Sequence, residues 1–111
     1  MPYNTELADR VRERIAKKGL ELTEKKMFGG LSFLYQGKMM VGIIQDELIG
    51  RICSPTYEEA LGWNHCSEMK FTGKPMKEFI TVSQEGLTTD TEIDRWIEYG
   101  IEHAMFKLGI L

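Results

Sequence analysis

Cysteine, histidine and proline are all scarce here: two, two and three in 111 residues. The cysteines, Cys53 and Cys66, are too few for a disulfide scaffold and fit a reducing compartment. No purely apolar run exceeds four residues, far short of the ~20 that a membrane helix needs. The opening Met1-Pro2-Tyr3-Asn4-Thr5-Glu6 carries neither a basic stretch nor an apolar one, so no secretory leader is expected and the cytoplasm is the default location. Positive charge is not in excess either. The net charge is −3, with 8 basic and 7 acidic residues up to residue 50 and 6 basic and 10 acidic beyond it. Such a field disfavours direct, non-specific binding to nucleic acid, which takes several cations on one face.

What is present reads as one α+β domain over 1–111, with 42% hydrophobic and 28% charged residues and no repeat or linker. Leu7, Val11 and Ile15 recur at helical spacing behind Asn4 or Thr5 as a cap, and Gly19 closes that helix. From Thr23 to Ile52 the period becomes that of strands. Gly29-Gly30, Gln36-Gly37 and Gln45-Asp46 divide it into four strands of an antiparallel meander. Ser54-Pro55 starts a short helix, with serine as the expected cap and proline in the first turn. Trp63 to Ser67 reads as irregular. A strand pair follows, Met69 to Phe71 and Glu78 to Val82, joined across Thr72-Gly73-Lys74-Pro75. Thr89-Asp90-Thr91-Glu92 is a capping box. The helix behind it spans about eighteen residues, ~27 Å at 1.5 Å per residue. The predicted order is α-β-β-β-β-α-β-β-α, in two layers: an antiparallel sheet of about six strands covered by helices.

Chemistry has few footholds. His65-Cys66, Cys53 and His103 lack zinc-site spacing, and loop cysteines with a solvent-facing histidine explain them, so no metal is expected. Serine has no nucleophile-elbow context. The carboxylates Asp90, Glu92, Asp94, Glu98 and Glu102 fall on the polar face of the last helix. Gly29-Gly30 lies between two strands rather than before a helix, so a bend explains it better than a phosphate cradle. No catalytic residue and no cofactor is expected.

Two segments stand out, Lys25 to Leu31 and Phe71 to Lys77, each combining glycine, an apolar anchor and lysines where the backbone turns. Glycine lets another chain approach closely, and lysine with methionine makes an adaptable surface. The candidate interaction surface is therefore Lys25, Lys26, Met27, Phe28, Gly29, Gly30, Thr72, Gly73, Lys74 and Lys77. Core methionines flanked by solubilising lysines are the plainer explanation.

The strings Glu6-Leu7-Ala8-Asp9-Arg10-Val11-Arg12, Glu24-Lys25-Lys26-Met27-Phe28-Gly29-Gly30-Leu31-Ser32-Phe33, Gly37-Lys38-Met39 and Tyr57-Glu58-Glu59-Ala60-Leu61 occur in an order that resembles a known family. So does Met69-Lys70-Phe71-Thr72-Gly73-Lys74-Pro75-Met76-Lys77-Glu78-Phe79, and Trp96 continues the match in the last helix. The chain is similar, nearly throughout, to TfoX N-terminal domain-like proteins, which comprise the TfoX/Sxy competence regulators and their short single-domain relatives. The resemblance implies a small α+β domain without catalytic residues. It also implies a role in regulating transcription of DNA-uptake genes together with the cyclic-AMP receptor regulator. Those regulators carry a second, C-terminal helical domain, to which no part of residues 1–111 is expected to correspond.

Three functions follow as expectations. The first is a cytoplasmic, non-enzymatic regulatory module that binds a protein partner, a regulator or part of the transcription machinery, with a homodimer also open. The second is nucleic-acid binding through a stripe of Lys25, Lys26, Lys70, Lys74 and Lys77. The third is a small-molecule site near Trp63, His65 and Cys66.

Overall fold

The computed structural model describes residues 3–27, 29–71 and 74–109, with the backbone alone at 27, 54, 70, 71 and 74–76. Helix α1 (Thr5–Lys17) is capped by the Asn4 side chain, which accepts from the Leu7 amide, and buries Leu7, Ala8, Val11 and Ile15. Four strands follow, β1 (Thr23–Met27), β2 (Gly30–Tyr35), β3 (Lys38–Ile44) and β4 (Glu47–Arg51), then α2 (Ser54–Ala60), β5 (Cys66–Phe71), β6 (Lys74–Val82), a single 3-10 turn and α3 (Asp90–Lys107). The order agrees with the expected one. At the β2–β3 turn, Gln36 and Gly37 both have positive φ (48° and 82°), the conformation whose twist matches that of the flanking strands. Thr89 and Glu92 form the reciprocal capping box at the start of α3.

Local limits differ in three places. The cap of α2 is Cys53, without a side-chain hydrogen bond, and Ser54 lies inside the helix. Cys66 and Ser67 are strand rather than irregular chain, because they pair with Val82 and Thr81. Strand β6 begins at Lys74, so the connection is shorter than Thr72 to Pro75.

All six strands form one antiparallel sheet in the order β1-β2-β3-β4-β6-β5. All three helices contribute buried side chains to one cluster, which includes Phe33, Met40, Ile43, Leu48, Ile80, Ile93 and Ile97. The opposite face holds a smaller cluster of Met39, Ile49, Met69 and Phe79, made by strands alone. The architecture is thus two-layered. Helix α3 lies across β3 and β4 at a distance set by two glycines. A Cβ on Gly100 would stand 2.6 Å from the Met40 carbonyl oxygen, and one on Gly50 would stand 2.5 Å from the Trp96 ring. A register shift between Phe33 and Leu34 leaves Met40 unpaired and turns it, with Val41, into the core. Among the described residues no helix is long and apolar enough to cross a membrane.

Candidate functional site

The two lysine-bearing segments belong to strands at opposite margins of the sheet. Strand β1 is one edge and β5 the other, five strand spacings or roughly 24 Å apart at about 4.8 Å each. Strand direction separates them further. The β1–β2 connection lies at the end where Ile44 meets Glu47, whereas the β5–β6 connection lies at the end where Tyr35 meets Lys38. Strands β1 and β5, which carry Lys25, Lys26 and Lys70, thus lie at opposite margins of the sheet, and Lys74 and Lys77 belong to β6 beside β5. Phe28, Thr72 and Gly73 lie outside the described residues, as do the side chains of Met27 and Lys74. Lys77 is exposed on β6.

At the β1 corner, Lys25 and Lys26 are exposed and point to opposite faces. Lys25 pairs with Ser32 and Lys26 with Leu31, a member of the helix-side core. The two glycines have separate structural reasons. Gly29 takes φ +77° in the turn with open space around its α-carbon, while a Cβ on Gly30 would lie 2.0 Å from the Ile43 carbonyl oxygen. The close approach expected at Gly30 is thus made by the neighbouring strand of the same chain.

Beside β1, on the helix side, is a shallow hollow of about 150 Å³ lined by Arg12, Ile15, Ala16, Leu20, Leu22, Glu24 and Phe33. Arg12 donates from Nε and Nη2 to both Glu24 oxygens, at 2.6 and 2.8 Å. That fork holds the Glu24 carboxyl below its usual range. Other cations of α1 and its C-cap are also paired: Arg14 binds Asp94 at 2.8 Å through Nε and Nη2, and Lys18 lies 3.9 Å from Glu98.

Sequence reasoning missed a part-buried polar cluster, centred on a buried histidine, where β4, β6 and α3 meet. His103, expected to face solvent, is 1% exposed. Its Nε2 stands 3.2 Å from Arg51 Nη2 and 3.3 Å from Glu78 Oε1. Lys107 Nζ is 3.6 Å from the same carboxylate oxygen, and the Arg51 guanidinium lies over the Phe79 ring, 4.2 Å from its centre. Arginine only donates and a carboxylate accepts, so one ring nitrogen faces two opposed demands. His103 Nδ1 and Arg51 Nε are buried without a partner among the described residues. Burial, and then the Arg51 charge, push the His103 pKa down, so the ring is neutral at pH 7. Glu78 has φ +71°, an uncommon backbone for a non-glycine residue and a mark of local strain. The only available sequence signal was helical phase: His103 follows Trp96 and Gly100 on the buried face of α3.

Neither cysteine is an activated nucleophile. Burial raises both thiols, with the Glu102 carboxylate adding to the effect at Cys53, so both stay protonated at neutral pH. Trp63, Cys66 and Trp96 border a dimple of only about 60 Å³ with Asn64, Val82, Gly86, Glu92 and Arg95. That is well below the ~300 Å³ at which small-molecule sites begin. Trp63 stacks on Tyr99 with ring centres 5.9 Å apart, and both rings meet Trp96 edge-on. Among the described residues no three His, Cys, Asp or Glu side chains converge as a metal set.

No curated protein and no solved structure matches this chain. A family does match, over residues 15–104, from the last turn of α1 through most of α3 and across every strand. The edge strand with its exposed lysines, the glycine corner and the α3 face packed on β3 and β4 all lie within that stretch, and the chain belongs to the TfoX N-terminal domain family.

Proposed function

We propose that this chain is a non-enzymatic regulatory module of the cytoplasm that acts by docking a protein partner at the β1 end of its sheet. The partner is a regulator or a component of the transcription machinery, in keeping with the competence role of the family. The observation that carries the reading is the state of β1. It is an edge strand whose Lys25 and Lys26 are exposed on the two faces, next to the hollow beside α1, whereas the cations Arg12, Arg14 and Lys18 of the first helix and its end are held by carboxylates of the same chain. The chemistry of the interior supports the same reading, since its thiols are protonated and His103 is sealed from solvent.

The test is affinity capture from the native cytoplasm, and of the purified cyclic-AMP receptor regulator, with three baits: the native chain, K25E/K26E and K77E. A partner held by the native chain and K77E but lost by K25E/K26E places docking at β1. Equal capture by all three baits refutes it. A nucleic-acid function is separated by gel shift at two salt concentrations, because phosphate-driven binding weakens steeply with salt.

A further inference from the structure

The geometry points to β1 as the acceptor for an extended acidic segment of the protein partner, added to the sheet as a seventh strand with one apolar side chain seated in the hollow beside α1. This inference rests on the proposal that β1 is the docking end, and adds the mode of binding and the chemistry of the occupant.

Three features carry it. First, among the described strands β1 pairs only with β2, so its other margin presents a row of backbone amides and carbonyls that a strand can complete. Second, side-chain parity joins that margin to the hollow. Glu24 and Lys26 share the helix-side face with Phe33 and Leu31, and Glu24 and Phe33 line the hollow, with Ile15, Leu20 and Leu22 as its apolar part. Its volume of about 150 Å³ is half that of the smallest usual ligand site and suits one side chain. Every second residue of an added strand faces this side.

Third, charge selects the occupant. Lys25 and Lys26 offer a cation to each face of an incoming strand, and opposite charges directly across a strand pair attract while like charges repel. A second copy of this chain is a poor occupant for that reason. An isologous antiparallel pair places its central residue opposite itself. A centre at Glu24 or Lys26 opposes like charges in the middle of this five-residue strand, and a centre at Lys25 opposes Lys25 to itself and sets against Lys26 a Glu24 that is already held by Arg12 of its own chain. The same lysines that block self-pairing welcome glutamate or aspartate, which makes the edge selective rather than merely protected.

The experiment uses the whole chain and a short fluorescein-labelled peptide of alternating valine and glutamate, read by fluorescence anisotropy. The native chain binds it. K25E/K26E weakens binding about tenfold or more and prefers a valine–lysine peptide. Leu22→Glu, which puts a carboxylate at the hollow, weakens binding with the lysines intact. Circular dichroism checks that each variant is folded. Two further peptides, N-methylated on alternate amides in the two possible phases, give the signature of strand addition: one phase binds and the other does not. Equal binding by both phases overturns strand addition. If lysine dependence persists in the capture assay above, that result leaves the docking proposal standing. Absence of peptide binding, with K25E/K26E still losing its partner in that assay, also overturns this inference alone. A native chain that sediments as a dimer, and becomes monomeric in K25E/K26E, overturns it in favour of self-association.

Discussion

Replacing Gly30 by alanine adds one methyl group, and the structure says where it goes. The new Cβ falls 2.0 Å from the Ile43 carbonyl oxygen and 3.0 Å from both the Ile43 carbonyl carbon and Ile44 Cγ1. Ordinary contacts between such atoms lie near 3.5 Å, so the oxygen is more than 1 Å too close. The obstacle is backbone, at the end of the β2–β3 ladder, and has no rotamer to change. Gly42 of β3 leaves little room either, since a Cβ there would lie 2.8 Å from Met39 Cε of its own strand and 3.2 Å from the Leu31 carbonyl oxygen of β2. Relief requires opening β2 from β3 while Leu31 and Phe33 stay anchored in the core. Overpacking costs 1–3 kcal/mol where neighbours can adjust, and here the upper end applies, about 3 kcal/mol. For a domain of this length that lowers the melting temperature by about 12 °C, at roughly 4 °C per kcal/mol. Gly29→Ala is the control. Its methyl meets nothing within 4 Å but the residue sits at φ +77°, which costs about 1 kcal/mol. Urea unfolding of the native chain and both variants, with the slope compared as well as the midpoint, reads the difference. A Gly30→Ala midpoint equal to the native one, or a larger loss at Gly29, refutes the packing argument. Folded Gly30→Ala protein retains partner binding, since the glycine serves the sheet rather than the partner.

Other consequences are equally accessible. His103 takes its proton near pH 6.5 in the unfolded chain and at lower pH in the folded one, held down by burial and then by Arg51. The unfolded state therefore binds more protons just below pH 6.5. Stability falls as pH drops through that window, and His103→Gln flattens the slope of urea midpoint against pH there. Thr89→Ala removes the side chain that accepts from the Glu92 amide, costing about 1 kcal/mol, or about 4 °C by calorimetry. A double-mutant cycle on Arg14 and Asp94, a two-bond pair at 2.8 Å in which both side chains are 22% exposed, returns a favourable coupling that shrinks with added salt. A coupling near zero contradicts the pairing.

Elements with local causes were legible. The capping box announced α3, Gln36-Gly37 announced a hairpin, and the four-residue spacing of Leu7, Val11 and Ile15 announced the buried stripe of α1. Pairings between distant residues were not. Nothing in the residues of β5 or β6 says that β6 enters beside β4 and leaves β5 at the margin, so the two lysine-bearing corners read as neighbours when topology sets them apart. The same blindness hid the polar cluster. Arg51, Glu78 and His103 are separated by 27 and 25 positions, and only the joining of β4 to β6 under α3 brings them together. Cys66 and Ser67 read as irregular for a related reason, since their strand character comes from Val82 and Thr81 rather than from their own composition. At the β1 corner the bend read at Gly29-Gly30 is there, with Gly29 at positive φ, but the identity of the atom that presses on Gly30, the Ile43 carbonyl oxygen, depends on a strand pairing that the residue types do not reveal.

The placement of β6 between β4 and β5 also dictates an order of assembly. Strands β1 to β4 close by short turns, so their pairings form a ladder of nearest neighbours along the chain. The sheet grows past β4 only after a connection from Arg51 to Phe79, with α2 and β5 inside it, has looped back, and long loops close more slowly and at greater entropic cost. The late-arriving β5–β6 hairpin brings Glu78 to His103 and completes the covering of α2. Pulse-labelling hydrogen exchange is accordingly expected to find the amides of Val41 and Ile43 protected ahead of those of Ile80 and Val82 during refolding.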